Sequence, residues 1–156
     1  MIKRNSAVLV SVYIPTHNRP ELAIRAIQSV LSQSYQNIEI VVCDDGSDWP
    51  SYEKVRKLLN EYDAFYYRHE KPMGACAARN TAIRNATGRL ITGLDDDDEL
   101  AKNHIENLVY SYDSRYSFVA ASYLRISAHG AEKIRYDVGV ITLDKQLHYN
   151  CVGNQV

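Results

Sequence analysis

Apolar and polar positions along the 156-residue chain alternate between two kinds of block. Val8 to Ile14 is almost continuously apolar and β-branched, as expected of a strand buried on both faces. Pro15-Thr16-His17-Asn18-Arg19-Pro20 breaks the run, and Pro20 suits the first turn of a helix. Leu22, Ala26, Ile27, Val30 and Leu31 then recur at helical spacing. The cycle repeats. Ile38 to Cys43 reads as a strand, and Val55, Leu58, Leu59 and Tyr62 mark a second helix. Ala64 to His69 is a shorter, more polar strand, suited to an edge. After the turn Lys71-Pro72-Met73-Gly74, Ala75 to Ala86 forms a slim, alanine-rich helix, with Gly88 placed for its C-cap. Arg89 to Leu94 is the fourth strand, and His104, Ile105, Leu108, Val109 and Tyr112 carry a fourth helix. Phe118 to Ile126 reads as a strand, with Glu132 to Tyr136 as its hairpin partner; the last twenty residues show no period.

Strands alternating with helices across short loops predict an α/β domain, a mostly parallel sheet with helices on both faces, made mixed by the late hairpin. The length suits a single domain, residues 1–156, with a sizeable core. A net charge of −1 argues against a dedicated nucleic-acid surface. Cys43, Cys76 and Cys151 are odd in number and lack metal-ligand spacing, which fits free thiols in a reducing, cytoplasmic compartment. Lys3 and Arg4 before an apolar run loosely mimic a signal peptide, but no small-residue cleavage site follows, and no run is long enough to span a bilayer.

The candidate chemistry lies after the strands. Asp44-Asp45-Gly46-Ser47-Asp48 follows the second and Asp95-Asp96-Asp97-Asp98-Glu99 follows the fourth. In a parallel sheet these loops and Thr16 to Arg19 converge on one edge, where open α/β sheets bind ligands. Adjacent carboxylates repel, so gathering them costs free energy unless a cation or donors offset it. The plainer reading is a solvated turn in which Asp98 caps the next helix, a simple turn at Asp44-Asp45, and a surface ion pair for Arg79. Hard carboxylate oxygens otherwise suit Mg²⁺ or Mn²⁺ shared with a diphosphate. Asp45 or Asp44 could accept from a base N–H, and Arg79 could reach a phosphate or base. The chain has no G-x-G-x-x-G after its first strand, no P-loop and no G-x-S-x-G elbow.

Three blocks together resemble the inverting family 2 nucleotide-diphospho-sugar glycosyltransferases of the GT-A fold. They are Val10 to Arg19 running on to Ser29-Val30-Leu31-Ser32-Gln33-Ser34-Tyr35; Ile40 to Ser47; and Gly74 through Ala78-Arg79-Asn80-Thr81-Ala82-Ile83 and Ala86-Thr87-Gly88 to Leu94-Asp95-Asp96-Asp97-Asp98-Glu99-Leu100. The resemblance implies a nucleotide-sugar-binding half at 7–100 and the start of an acceptor half at 101–156. It implies a UDP-sugar donor, a saccharide or glycoconjugate acceptor, and Mn²⁺ or Mg²⁺. Pro15, Thr16, Asn18, Arg19, Gly74 and Arg79 would line the nucleotide pocket, with Asp45, and Asp44 beside it, at the uracil. Asp95-Asp96-Asp97 matches D-x-D with Asp97 as metal ligand. Asp96-Asp97-Asp98 also fits, so Asp95 or Asp98 would ligate as well, and Asp96 would face ribose or sugar.

The family's catalytic base lies beyond the D-x-D, and the tail Tyr149 to Val156 resembles the segment upstream of it. The base is therefore expected past Val156, the chain reads as C-terminally cut short, and an uncovered apolar side would favour self-association or a disordered tail at Leu143 to Val156. Glu106, Asp113, Glu132, Asp137 and Asp144 sit outside the base context, and Tyr136 and Tyr149 fall on the expected acceptor side. The site of action would be the cytoplasm or the cytoplasmic face of a membrane. The competing class is a UDP-sugar-binding module without transfer. A phosphoacceptor receiver would want acids after the first strand, and a nucleotidyltransferase a glycine-rich loop there; neither is present.

Overall fold

β1 (Val10–Thr16) is the axis of the main sheet in the computed structural model, which describes residues 8–134 and 140–142. It pairs in parallel with β2 (Ile38–Asp44) on one side and β4 (Leu90–Gly93) on the other. β3 (Ala64–Arg68) pairs with β2, so the order is β3-β2-β1-β4. The shorter, more polar β3 takes an edge. Side chains alternate across the sheet. Val10, Val12, Ile14, Ile40 and Val42 face α1 (Pro20–Leu31), α2 (Trp49–Leu59) and α4 (His104–Ser111), meeting Ala23, Ala26, Ile27, Val30, Val55, Leu59 and Ile105. Val41 and Cys43 face α3 (Ala75–Asn85) on the other side, against Ala78 and Ala82, where the small side chains bring the helix close. Each fully buried Val, Ile or Leu contributes roughly 1.5–3 kcal/mol, which makes this two-faced burial the main driving force.

Most polar positions that stay inside have partners; among the described residues Thr92 Oγ1 and His104 Nε2 do not. Glu39 on β2 accepts from the Ser11 hydroxyl on β1, and from the Thr87 amide at 2.8 Å and its hydroxyl at 2.5 Å. Gly88 donates its amide to Ser11 Oγ at 2.8 Å, and a Cβ on it would stand 2.7 Å from the Ser11 backbone nitrogen. Gly88 is thus a point of close approach to β1 rather than a C-cap, which is Ala86.

Three further expectations are corrected. Tyr62 lies past the end of α2 and is exposed. α4 begins at His104, well after the acids, because α1 captures the intervening backbone. Ser29 Oγ accepts from the Leu100 amide at 3.0 Å, Gln33 Oε1 from the Ile105 amide at 3.1 Å, and Gln33 Nε2 donates to the Ala101 carbonyl at 2.9 Å. Asp98 consequently caps no helix; its amide closes a turn onto the Asp95 carbonyl. The hairpin is shorter than predicted and forms its own sheet. β5 (Tyr123–Ser127) and β6 (Gly130–Ile134) pair from Ser127↔Gly130 to Tyr123↔Ile134, closed by Gly130 at φ 122°. Residues 118–122 have no ladder partner and are not strand, so the main sheet stays wholly parallel among the described residues.

The outer edge of β4 is unpaired among the described residues, and beside it runs an apolar groove of about 360 Å³ lined by Leu90, Ile91, Leu108, Val109, Tyr112 and Phe118. Tyr136, Asp137, Asp144, Tyr149, Cys151 and the Leu143 to Val156 tail lie outside the described residues.

Candidate functional site

The C-terminal ends of β1, β2 and β4 meet over the start of α3, and a cleft of about 160 Å³ opens there. Its walls are Pro15, Thr16, His17, Arg19, Asp45, Ala75, Ala78, Arg79, Asp95, Asp96 and Asp97. The parallel sheet is what gathers them, since every strand of that sheet delivers its following loop to the same edge.

The acids are neutralised from two sides. Arg19 Nη1, from the β1 loop, lies 3.2 Å from Asp96 Oδ1 and 3.1 Å from Asp97 Oδ2. Arg79 Nη2, on α3, lies 2.7 Å from Asp95 Oδ1. Thr16 donates its hydroxyl to Asp96 Oδ2 at 2.9 Å. The carboxylates differ in exposure: the Asp97 side chain is 56% exposed, Asp95 23% and Asp96 9%. Burial pushes the Asp96 carboxyl above its ordinary value; the Thr16 and Arg19 contacts oppose this, and Asp97 and Asp95 add to it. The hydrogen bond to Asp95 holds the Arg79 guanidinium more firmly in its charged form.

Asp45 and Asp44 behave differently from each other. Asp45 lines the cleft and accepts from His69 Nδ1 at 2.7 Å, the Met73 amide at 2.8 Å and the Gly74 amide at 2.7 Å. Burial raises its carboxyl, but these three donors outweigh it and hold the group below the usual carboxylate range. Asp44 points away into the fold, taking the Ser47 amide at 2.7 Å and the Tyr66 hydroxyl at 2.6 Å. Asn18 also works from behind. At φ 54°, a conformation Asn tolerates better than most residues, it donates its amide to Ser47 Oγ and accepts from the Asp48 amide, tying the first loop to the second. Gly74, at φ 94°, opens α3, whose N-terminus has no side-chain cap. Asn18, Asp44, Gly74 and Asp98 are therefore not among the cleft-lining residues, whereas Pro15, Thr16, Arg19, Asp45, Arg79, Asp95, Asp96 and Asp97 are.

Sequence reasoning missed His17, which lines the cleft and donates Nδ1–H to the Asp45 carbonyl at 2.8 Å. It also missed His69. No local pattern marks either as a site residue, although His17 stands inside the loop already singled out and His69 ends the third predicted strand.

The hard oxygens of Asp97 and Asp95, one exposed and one partly so, fit a divalent cation that takes its other ligands from phosphate and water. Among the described residues no three-group cluster of His, Cys, Asp or Glu is preassembled as a cage.

The family model of Glycosyl transferase family 2 matches residues 11–153. The chain belongs to that family. Among family 2 relatives, it is 47% identical over 98 residues to a putative colanic acid biosynthesis glycosyl transferase, WcaA, of Escherichia coli K12, a match covering 62% of this chain and 35% of that one. It is 30% identical over 144 residues to an Escherichia coli UDP-Glc:α-D-GlcNAc-diphosphoundecaprenol β-1,3-glucosyltransferase, WfaP, covering 92% of this chain and 55% of the relative. It thus spans from about a third to about half the length of these two relatives. Two solved structures share the fold. A mannosyltransferase of Pyrobaculum calidifontis in complex with GDP-Man and Mn²⁺ superposes with a TM-score of 0.62 at 26% identity, covering 67% of this chain and 32% of that one. TarS of S. aureus, in complex with UDP-GlcNAc, does so with a TM-score of 0.61 at 26% identity, covering 65% and 30%. The α/β architecture of this family 2 chain is that of the GT-A glycosyltransferases.

Proposed function

We propose that this chain is the nucleotide-sugar-binding part, residues 7–100, of an inverting glycosyltransferase, with the start of its acceptor half at 101–156. The donor is a UDP-sugar, held with Mn²⁺ or Mg²⁺, and the acceptor is a saccharide or other hydroxyl compound. The observation that carries the reading is the cleft itself. Two guanidiniums suited to phosphate face three carboxylates suited to a hard cation, under an uncapped helix start that favours anions.

In this reading Asp45 accepts from the base, Pro15 and Thr16 form the floor, and Arg19 and Arg79 meet the diphosphate. Asp97 holds the cation with Asp95, while Asn18, Asp44 and Gly74 shape the loops from behind. Asp98 would join the ligands only in the shifted D-x-D register, and its absence from the cleft lining favours Asp95 to Asp97. The acceptor oxygen bonds to the anomeric carbon from the face opposite the leaving group. The bond from that carbon to the diphosphate oxygen breaks, its electron pair leaves with UDP, and the hydroxyl proton passes to a carboxylate base. A bound divalent cation supplies Lewis-acid stabilisation of the leaving charge. Among the described acids after Glu99, Glu106 is engaged by Ser34, Asp113 by Arg115 and Glu132 by Arg125, and none lines the cleft. A base outside these residues is the consistent assignment.

The substrates in the names of WfaP and of a Campylobacter jejuni GalNAc(5)-diNAcBac-PP-undecaprenol β-1,3-glucosyltransferase support a lipid-diphosphate-linked saccharide as acceptor. Work at the cytoplasmic face of the membrane, in polysaccharide or glycoconjugate synthesis, follows from the same support. No described helix is long and apolar enough to cross a membrane.

Titration calorimetry with UDP tests the proposal. Affinity is expected to rise when Mn²⁺ replaces EDTA, and Asp97→Ala to abolish the difference. Equal affinity in both conditions would remove the cation from the reading, and no UDP binding in either would sink it.

A further inference from the structure

His69 is absorbed by none of the roles above, yet it connects three elements. It follows the last residue of β3 and continues the ladder by one step, its amide donating to the Asp44 carbonyl at 2.9 Å. Its ring is 11% exposed. Nδ1 lies 2.7 Å from Asp45 Oδ1, and Nε2 lies 2.9 Å from Thr81 Oγ1 on α3 and 3.7 Å from Cys43 Sγ on β2. An ionised carboxylate can only accept, so the Nδ1 proton points at Asp45. In the neutral ring Nε2 then accepts from the Thr81 hydroxyl.

The Asp45 carboxylate offers about four acceptor positions. His69 and the Met73 amide take two on Oδ1, and the Gly74 amide takes one on Oδ2. One position is left, on Oδ2, in a residue that lines the cleft. The two amides come from a turn, and a carboxylate held by them alone could still rock about its χ2 torsion, which is broad for Asp. The ring donor, a second bond on Oδ1 from a different element, restricts that freedom. A carboxylate with one fixed open acceptor position discriminates between ring edges. The uracil edge presents N3–H, a donor; at the same place cytosine presents a lone pair, which the carboxylate repels.

We propose that His69 is a specificity-positioning residue: through Asp45 it makes the cleft select a pyrimidine that carries an N–H at its ring edge, uracil over cytosine. The inference rests on the nucleotide reading of the cleft given above, and deepens it by naming the residue that fixes base choice without touching the base.

The test compares UDP and CDP affinity by titration calorimetry in Mn²⁺ for the unaltered chain, His69→Ala, His69→Gln and His69→Asn. The unaltered chain is expected to prefer UDP by roughly tenfold or more, the worth of one hydrogen bond to a charged group. His69→Ala should lower UDP affinity while leaving CDP affinity nearly unchanged, so that the preference collapses. His69→Gln, whose longer side chain carries its amide toward Thr81 rather than Asp45, should collapse it too, and serves as the removal variant should His69→Ala fail to fold. His69→Asn places an amide donor where Nδ1 was and should restore the preference. A residue that only supported the fold would lower both affinities together, and that result overturns the inference. So does a preference that survives both removal variants, or equal binding of UDP and CDP by the unaltered chain. Failure of the unaltered chain to bind either nucleotide overturns the nucleotide reading, and the inference with it.

Discussion

Gly46 is where the fold and the proposed base site can be disturbed by a single carbon. It sits at φ +71°, and a Cβ there would lie 2.8 Å from the Lys71 carbonyl carbon and 2.8 Å from the Pro72 nitrogen. Both are backbone atoms and cannot rotate aside. Gly46→Ala therefore meets two penalties: about 1–2 kcal/mol for an L-residue in the left-handed region and about 1–3 kcal/mol for overpacking. The expected loss is about 2–5 kcal/mol, a large share of the 5–15 kcal/mol typical of a whole domain. Equilibrium denaturation in guanidinium followed by circular dichroism measures it, as a lower midpoint at unchanged slope. A functional consequence follows from position. The segment pushed away runs directly into Met73 and Gly74, whose amides hold Asp45. UDP affinity of the folded variant should fall by about tenfold, in line with one disturbed charge-assisted hydrogen bond. Gly46→Asn separates the two penalties, because Asn tolerates positive φ but carries the same Cβ. If Gly46→Ala changes stability by less than about 0.5 kcal/mol, the level of an unremarkable surface substitution, the packing of the 71–74 turn on Gly46 is wrong and the functional argument goes with it.

Three further outcomes are expected. Arg79→Met keeps most of the side-chain volume but leaves Asp95 beside Asp96 and Asp97 without its 2.7 Å partner; thermal unfolding should show a loss of about 1 kcal/mol or more, and UDP affinity should fall with it. Glu39→Gln should flatten the acid limb of the stability curve: burial raises the Glu39 carboxyl, the Ser11 and Thr87 hydrogen bonds outweigh that, and its folded value lies below the ordinary 4.5. A depressed value means stability fully present above 4.5 and lost as pH falls through the folded value, so parallel acid titrations of the two proteins would refute it. Burial, with Asp45 and Asp44 nearby, pushes the Cys43 thiol up to about 11, whereas Cys76 is exposed; iodoacetamide labelling mapped by mass spectrometry at pH 8 should modify Cys76 in the folded protein and Cys43 only after unfolding.

The order of strands and helices through Gly93 was legible because β1 and β2 are compact β-branched runs, β3 is a short aromatic one, and the helices between them open at Pro, Asp or Gly. Both faces of the central strands are buried, so the runs could hardly be anything else. The acidic loops were legible as loops, and their convergence followed from parallel order alone. Their partners were not. Arg19 meets acids 77 and 78 residues away, and His69 meets Asp45 across 24. Such pairings have no period and leave no local mark. The missing Asp98 cap has the same origin: Ser29 on α1 and Gln33 just past its end are buried and bind the backbone of residues 100–105. The hairpin was overextended because β-branched and aromatic residues at 118–122 favour strand, while a strand exists only where a neighbour completes its ladder.

The charge balance of the cleft explains why the acids can stand together and what they are ready to do. Asp95, Asp96, Asp97 and Asp45 carry four negative charges against the two of Arg19 and Arg79, so two negative charges remain. That is tolerable at a half-exposed edge, where an effective dielectric near 20 leaves about 4 kcal/mol between unit charges 4 Å apart, well short of dry-interior values. It is nonetheless unfavourable to a bare diphosphate. One divalent cation would bring the balance to neutrality, and it would compete with the arginines for the same oxygens. Arg19 lies on the loop after β1 and Arg79 on α3, so each guanidinium that loses its carboxylate does so at the wall of the same cleft. The ion pairs that partly neutralise the acids in the free protein thus hold both guanidiniums at the cleft, where the proposed diphosphate would meet them. Affinity for UDP and affinity for Mn²⁺ should accordingly rise together, each ligand tightening the other by the same factor. Independent binding of the two in a full titration grid would contradict this account of why two arginines face three acids.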